Sequence, residues 1–207
     1  MTVTDELSRA ELLARGARGG VAALAAGSVL GLVAGTARAD TPPDTLPDGD
    51  LAYLRLLISA ELLGADFYTN AVAAQPYRGR PAKELKLALA NEGSHYRALS
   101  AIFADAGQTP ATADDIDFTY PKRSFATVGA VTKLAVTLET LFLGACLGAV
   151  AGVQTAALVQ PISQIAANQA QHLTVFSQLL GRSGFTTAMP APLTIDAVTE
   201  ALAAYTS

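Results

Sequence analysis

The sequence predicts an all-α protein built on a four-helix bundle. Apolar residues make up 51% of the chain and charged residues 15%, with Ala and Leu dominant and Trp absent. Ala and Leu are strong helix formers, and a chain this apolar is not typical of a disordered protein. Apolar residues also recur at spacings of three and four in long stretches, as amphipathic helices require.

Breaker residues divide these stretches into two helix pairs. The first helix is predicted over 48–75 and ends at Pro76. Pro81 suits the first turn of the second helix, which runs to about residue 106, where Gly107 is a natural stop. These two helices are therefore joined by a short connection.

The second pair follows a long connection over 108–124, which is rich in Thr, Asp and Pro. The third helix, predicted over 125–152, is apolar nearly all round, which is typical of a helix buried in a core or in a membrane. Pro161 is expected to start the fourth helix, which ends near Gly181. Two helix pairs joined by one long crossover favour a bundle over residues 48–181, and 182–207 are predicted to form a linker and a short helix.

The N-terminal 39 residues are predicted to be an export signal. Arg9, Arg15 and Arg18 precede an apolar stretch over 21–34, and Ala37-Arg38-Ala39 supplies small residues before a cleavage site. The route is twin-arginine-like or general secretion, because the run at Ser8-Arg9 lacks a second arginine. An uncleaved membrane anchor is the alternative. Residues 40–47 form a Pro-rich linker, and we expect an exported, periplasmic or extracytoplasmic protein.

Charge and cysteine content exclude several classes of protein. The net charge is -4, and no cluster of Lys and Arg stands out along the chain beyond the N-terminal segment. Nucleic acid is therefore not an expected partner. A single cysteine, Cys146, excludes an internal disulfide and a cysteine-based zinc site, and we expect it to be a small core residue.

An internal repeat carries the two histidines of the chain. The second helix reads Ala90-Asn91-Glu92-Gly93-Ser94-His95, and the fourth reads Ala167-Asn168-Gln169-Ala170-Gln171-His172, at an offset of 77 residues. Each copy is preceded by a lone mid-helix glutamate, Glu61 or Glu139. Each half of the chain therefore has one Glu, then Glu or Gln, two spacer residues and His.

This spacing suits a metal site inside the bundle. Residues at i and i+3 lie on one helical face, so Glu92 and His95 can bind the same ion. Glu61 and Glu139 stand in apolar stretches, where a buried carboxylate needs a cation or another partner. One Glu from each of two helices and a Glu-x-x-His pair from each of the other two form di-iron and di-manganese sites. The alternative is that the carboxylates pair with histidines or hydroxyls without metal.

On these residues the chain resembles the ferritin-like superfamily, and most of all its exported, desiccation-related members. The resemblance covers 48–181 and implies terminal ligands at Glu61 and Glu139, a bridging carboxylate at Glu92, and nitrogen ligands at His95 and His172. The departure is Gln169, where the family has a second bridging Glu. Because glutamine is neutral, the half with Glu61, Glu92 and His95 is expected to hold metal better.

The first functional hypothesis is an exported metal-binding protein with iron as cofactor, as a di-iron or single-metal site, with manganese or zinc as alternatives. If it is active, it would be a di-metal oxidoreductase. The second hypothesis is a metal-free structural or stress-associated bundle. The third is an integral membrane protein, since 141–159 is long enough to span a bilayer. A homodimer through apolar bundle faces is also compatible with the sequence.

Overall fold

The computed structural model describes residues 45–74, 77–184 and 188–206. The predicted export signal, 1–39, lies outside the described residues. Within these ranges the first four helices are α1 (Asp48–Ala74), α2 (Arg80–Asp105), α3 (Val128–Gly152) and α4 (Ala156–Leu179). A long crossover with one 3-10 turn, Ala113–Asp115, joins α2 to α3, and the short helix α5 (Ile195–Ala203) follows the bundle. The predicted all-α bundle with one crossover and a C-terminal helix is confirmed.

The helices pack as two antiparallel pairs, α1 with α2 and α3 with α4. At one end of the bundle, the hydroxyl of Tyr77, from the α1–α2 connection, donates to the carbonyl of Val128 at 3.3 Å. At the other end, Asp50 near the start of α1 contacts the α3–α4 turn. One end therefore holds the α1–α2 connection and the start of α3, and the opposite end holds the α3–α4 turn.

Helix α4 begins five residues before the predicted start at Pro161, so this expectation was wrong. Pro161 lies inside the helix and leaves the carbonyl of Ala157 without its helical donor. Asp50 explains the early start, because its Oδ1 accepts from the backbone N–H of Gln154 at 2.8 Å and its Oδ2 accepts from that of Thr155 at 2.9 Å. A carboxylate at a helix N-terminus satisfies amides that have no helical partner.

The fully buried side chain of Asp50 gives a stability prediction. Asp50→Ala leaves the two backbone amides without their acceptor, so we expect the free energy of unfolding to fall by about 3 kcal/mol. Chemical denaturation measures the change. Asp48→Ala is the matched control, since Asp48 lies two residues earlier and is exposed. Equal stability of the two variants would contradict the capping role of Asp50.

The C-terminal segment reaches the bundle through a groove floored by glycines of α3. The backbone N–H of Leu193 donates to the carbonyl of Gly144 at 2.9 Å. A Cβ atom on Gly148 would lie 1.9 Å from the carbonyl oxygen of Leu193, so only glycine permits this approach. The segment continues into α5, and the backbone N–H of Thr119 in the crossover donates to the carbonyl of Tyr205 at 2.8 Å.

Helix α3 is long and apolar enough to cross a membrane by length and composition. In the described part of the chain it packs against α4 and α1, and 56% of its most apolar window is buried. A core helix of a soluble bundle has the same properties. Burial in the core therefore accounts for part of the apolar character of α3.

Candidate metal centre

The four long helices bring all six predicted site residues together in the middle of the bundle. Helix α1 supplies Glu61, α2 supplies Glu92 and His95, α3 supplies Glu139, and α4 supplies Gln169 and His172. Five of the six are buried, and the side chain of His95 is 12% exposed. Three carboxylates without water around them carry a large desolvation cost unless protons or cations neutralise them.

The first group of ligand atoms joins α1 and α2. Nδ1 of His95 lies 3.1 Å from Oε2 of Glu61 and 3.7 Å from Oε2 of Glu92. One ligand atom from each of these three residues lies within 4.8 Å of the other two. This spacing is short enough for the three atoms to contact one ion, because metal–ligand distances are near 2.0–2.2 Å for nitrogen and oxygen.

The second group joins α2, α3 and α4, and it uses Glu92 again. Nδ1 of His172 lies 3.1 Å from Oε1 of Glu92 and 3.2 Å from Oε1 of Glu139. These ligand atoms also lie within 4.8 Å of one another. Glu92 thus presents one oxygen to each histidine and is the residue common to both groups.

Gln169 lies between the carboxylates and donates to them. Its Nε2 is 3.2 Å from Oε2 of Glu92 and within 3.4–3.5 Å of both oxygens of Glu61. Its Oε1 is buried without a hydrogen-bond donor. Rotation of the amide by a half turn would exchange the two atoms and present an oxygen, a metal-ligating atom, at the same place.

Burial and mutual repulsion shift the acidity of the cluster. Burial, followed by the charges of Glu92 and Glu139, raises the pKa of Glu61 well above its usual value. Burial raises the pKa of Glu139 to about 7, although a hydrogen bond with His172 opposes the shift. Burial would also raise the pKa of Glu92, but hydrogen bonds from Glu61, His172 and His95 outweigh it and lower the pKa below its usual value.

The histidine of the second group is held in its charged form. Burial alone would lower the pKa of His172, but hydrogen bonds to Glu139 and Glu92 and the charges of both carboxylates raise it to about 10. The cluster is thus neutralised by protons on some of its own groups. Metal ions would have to displace those protons.

A family model described as a ferritin-like domain matches residues 49–182, which include all six site residues. The chain belongs to the ferritin-like domain family. This confirms the resemblance at the level of the superfamily. A comparison with curated proteins gave no match. The desiccation-related type and export remain predictions.

The buried acceptors of this ferritin-like bundle fit a bound cation. Oε2 of Glu139 and Oε1 of Gln169 are buried and accept no hydrogen bond, and buried Oε1 of Glu92 has only its ion pair with His172 at 3.1 Å. Orphaned buried acceptors cost free energy, and in native proteins they indicate an ion, a water molecule or a functional role. The three atoms belong to residues of the candidate centre, and carboxylate oxygen with imidazole nitrogen suits iron, manganese and zinc.

Two polar side chains outside the six hold the second group in place. The hydroxyl of Tyr68 donates to Oε1 of Glu139, and its ring stacks on Phe176 with 5.7 Å between centroids. Nε2 of His172 lies 3.0 Å from the amide of Asn91. Such partners fix the orientation of a ligating imidazole and its tautomer. The signal in the sequence is the position of each residue, since Tyr68 lies two turns after Glu61 on α1 and Asn91 directly precedes Glu92 on α2.

The internal repeat does not extend to the contacts that surround the six site residues. Asn168 is the counterpart of Asn91, but its Nδ2 donates to Gln171 at 3.4 Å and its Oδ1 is buried without a donor. The two halves of the centre are therefore unequal in a second way besides Gln169. Nε2 of His172 contacts the amide of Asn91, which belongs to the other half of the chain.

Gly64 is a site residue that sequence reasoning missed. A Cβ atom there would lie 3.1–3.2 Å from the carboxyl group and Cγ of Glu92, so its absence makes room for the shared ligand. The available signal was a glycine one turn after Glu61 in the middle of a buried helix, where glycine otherwise lowers helix stability.

Proposed function

We propose that the protein is an exported ferritin-like metal-binding protein that holds iron, or manganese or zinc, in the centre of its bundle. The observation that carries this proposal is the pair of three-ligand groups that share Glu92. Glu61, Glu92 and His95 would hold one ion. Glu92, Glu139 and His172 would hold a second. Gln169, whose amide lies against Glu61 and Glu92, would offer a neutral oxygen ligand beside them.

Bound iron would supply one-electron redox chemistry. The protein side chains would balance the charge of the ions and orient their ligands. Glu61, Glu92 and Glu139 would balance most of the positive charge of two divalent ions, leaving one charge in excess. Asn91 would orient His172, and Tyr68 would hold Glu139. The burial of these side chains would keep bulk water away from bound ions and so strengthen their attraction to the carboxylates.

A metal-free structural bundle is the second candidate, and the contacts of Gln169 favour it. Its amide donates to Glu61 and Glu92, while His95 and His172 pair with the carboxylates. These hydrogen bonds and ion pairs hold the six side chains together without a metal. On this reading Gln169 replaces a metal-binding carboxylate with a donor that joins the two neighbouring glutamates.

Metal content distinguishes the two candidates. The full chain is purified without chelator, loaded anaerobically with Fe(II), and analysed by mass spectrometry beside His95→Ala. We expect about one or two ions per chain and a lower content in the variant, since His95 is a ligand of the first group. Absence of metal from both proteins after loading would support the metal-free bundle.

Metal binding should release protons. Ligands must be deprotonated, whereas burial holds the pKa of Glu139 near 7 and hydrogen bonds hold that of His172 near 10. Near neutral pH the metal-free cluster therefore carries protons, and the apparent affinity should weaken as pH falls from about 8 to about 6. Calorimetry in buffers of different ionisation enthalpy measures the proton count. Binding heats independent of the buffer would contradict this.

Export is supported by the order of features in residues 1–39, namely arginines, an apolar stretch and small residues before Asp40. We expect the secreted or periplasmic form to begin at Asp40. N-terminal sequencing of that form tests this, and a chain that still carries Met1 or Thr2 at its start would support the anchor alternative. Deletion of residues 1–39 should retain the protein in the cytoplasm.

A further inference from the structure

One end of the bundle gathers most of the positive charge of the described residues. This end, here called the basic end, comprises the α1–α2 connection, the first two turns of α2 and α3, the residues before α3 and the segment after α4. Eight exposed basic side chains lie on it, namely Arg78, Arg80, Lys83, Lys86, Lys122, Arg123, Lys133 and Arg182. The other two basic residues in the described ranges, Arg55 and Arg97, lie in the other half of the bundle.

Acidic side chains do not balance the basic end. Glu84 is the acidic residue in the first two turns of α2, where it pairs with Arg80 at 3.1 Å. No acidic residue lies in the first two turns of α3 or anywhere in α4. At the opposite end, Asp48 and Asp105 mark the start of α1 and the end of α2. The bundle is therefore electrically polarised along its long axis.

The sequence does not reveal this feature because three separate stretches of the chain contribute to it, namely 78–86, 122–133 and Arg182. The net charge of the chain is -4. Folding brings these segments to one end, since Tyr77 joins the α1–α2 connection to Val128 and the antiparallel packing of α3 and α4 places the end of α4 there too. A net-acidic protein thus presents a positive surface in one direction, which attracts an anionic partner.

Exposed apolar side chains lie among these charges. Leu87, in the second turn of α2, is 57% exposed, Val128 at the start of α3 is 40% exposed, and Leu179 at the end of α4 is 36% exposed. Nucleic acid and soluble acidic polymers use basic groups but gain little from isolated aliphatic side chains. A lipid surface uses both, because apolar side chains enter the boundary below the headgroups while Lys and Arg bind anionic lipids.

We propose that the basic end docks the protein on the surface of an anionic phospholipid bilayer. The long axis of the bundle would then point away from the membrane. The opposite end, with Asp48 and Asp105, would face outwards because the anionic surface repels it. This contact is peripheral, and it involves neither the N-terminal segment nor the insertion of α3. It is also independent of metal binding at the centre of the bundle.

Vesicle binding with matched charge variants tests the docking. The full chain is sedimented with vesicles of phosphatidylglycerol and phosphatidylcholine, and with pure phosphatidylcholine vesicles, at low and physiological salt. We expect Lys83→Gln/Lys86→Gln to weaken binding to the anionic vesicles about tenfold or more. The control, Arg55→Gln/Arg97→Gln, makes the same change in net charge in the other half of the bundle and should leave binding within about twofold. Both variants keep the N-terminal segment, so its contribution cancels.

An apolar pair distinguishes a lipid surface from a soluble polyanion. Leu87→Gln changes no charge and should weaken vesicle binding severalfold, while Val159→Gln, at the opposite end and 37% exposed, should not. Neither should alter binding to heparin or duplex DNA. Equal losses in the two charge variants, equal binding to neutral vesicles, or tighter binding to the soluble polyanions than to the vesicles would each overturn the proposal.

Discussion

Replacing Glu92 should remove metal from both halves of the centre, the largest loss expected from any single substitution. Glu92 faces His95 with one oxygen and His172 with the other, and it is common to the two groups of ligand atoms. We expect Glu92→Ala to weaken binding of the first and the second ion by at least about a hundredfold each. His95→Ala and His172→Ala should each affect one ion more than the other.

Glu84→Ala is the matched control for this substitution. Glu84 lies on the same helix about two turns earlier, where it pairs with Arg80 outside the cluster. Anaerobic titration with Fe(II), followed by mass spectrometry of the washed protein, gives the stoichiometry of each variant. Circular dichroism confirms that the variants remain helical. Retention of one full equivalent by Glu92→Ala would show that the two groups do not share this ligand.

The convergence of the six site residues could be predicted because its signal is local in the chain. Glu92 and His95 are three residues apart, so helical geometry alone places them on one face. The second copy of the pattern, with His172, and the apolar surroundings of Glu61 and Glu139 then indicated a common interior. The bundle itself follows from the same periodicity, with prolines and glycines at the helix ends.

Features that depend on contacts between helices could not be predicted in the same way. The early start of α4 is explained by Asp50, which lies 104 residues before Gln154 in the chain. Whether Glu92 can contact both His95 and His172 depends on the distances between helices across the bundle. Gly64 matters because of the side chain that it faces on α2. To predict each of these three features, one must know which helix surfaces are in contact. The periodicity of a single segment does not contain that information.

The repeat also overstates the symmetry of the site. It matches Asn91 with Asn168, yet Asn91 contacts His172 and Asn168 contacts its own neighbour Gln171. It matches Glu92 with Gln169, yet the first is shared by two groups while the second donates to the carboxylates. The two halves thus differ in their contacts, and substitution of Gln169 tests whether this difference affects metal binding.

Gln169→Glu should have opposite effects on the metal-free and the metal-loaded protein. In the metal-free protein the new carboxyl group lies against Glu61 and Glu92, where it must remain protonated. Holding a glutamate protonated near pH 7, against an ordinary pKa near 4.3, costs about 3–4 kcal/mol. We expect the free energy of unfolding of the metal-free variant to fall by about that amount, because a protonated glutamate can replace the hydrogen bond of the amide but not avoid this cost.

With metal bound, the same substitution should be stabilising. A fourth carboxylate would balance the four positive charges of two divalent ions, and the second ion should bind at least about tenfold more tightly. Binding to the native state raises stability by mass action, so the melting temperature of the loaded variant should exceed that of the loaded wild type.

Gln171→Glu is the control for Gln169→Glu, since it makes the same chemical change two residues away on the exposed face of α4. Thermal denaturation of the wild type and of both variants, with chelator and with Fe(II), gives the six values required. A fall in stability in both states would mean that Gln169 completes a network that no longer binds metal. A fall without metal and a rise with metal would mean that the centre binds metal and that Gln169 limits its affinity.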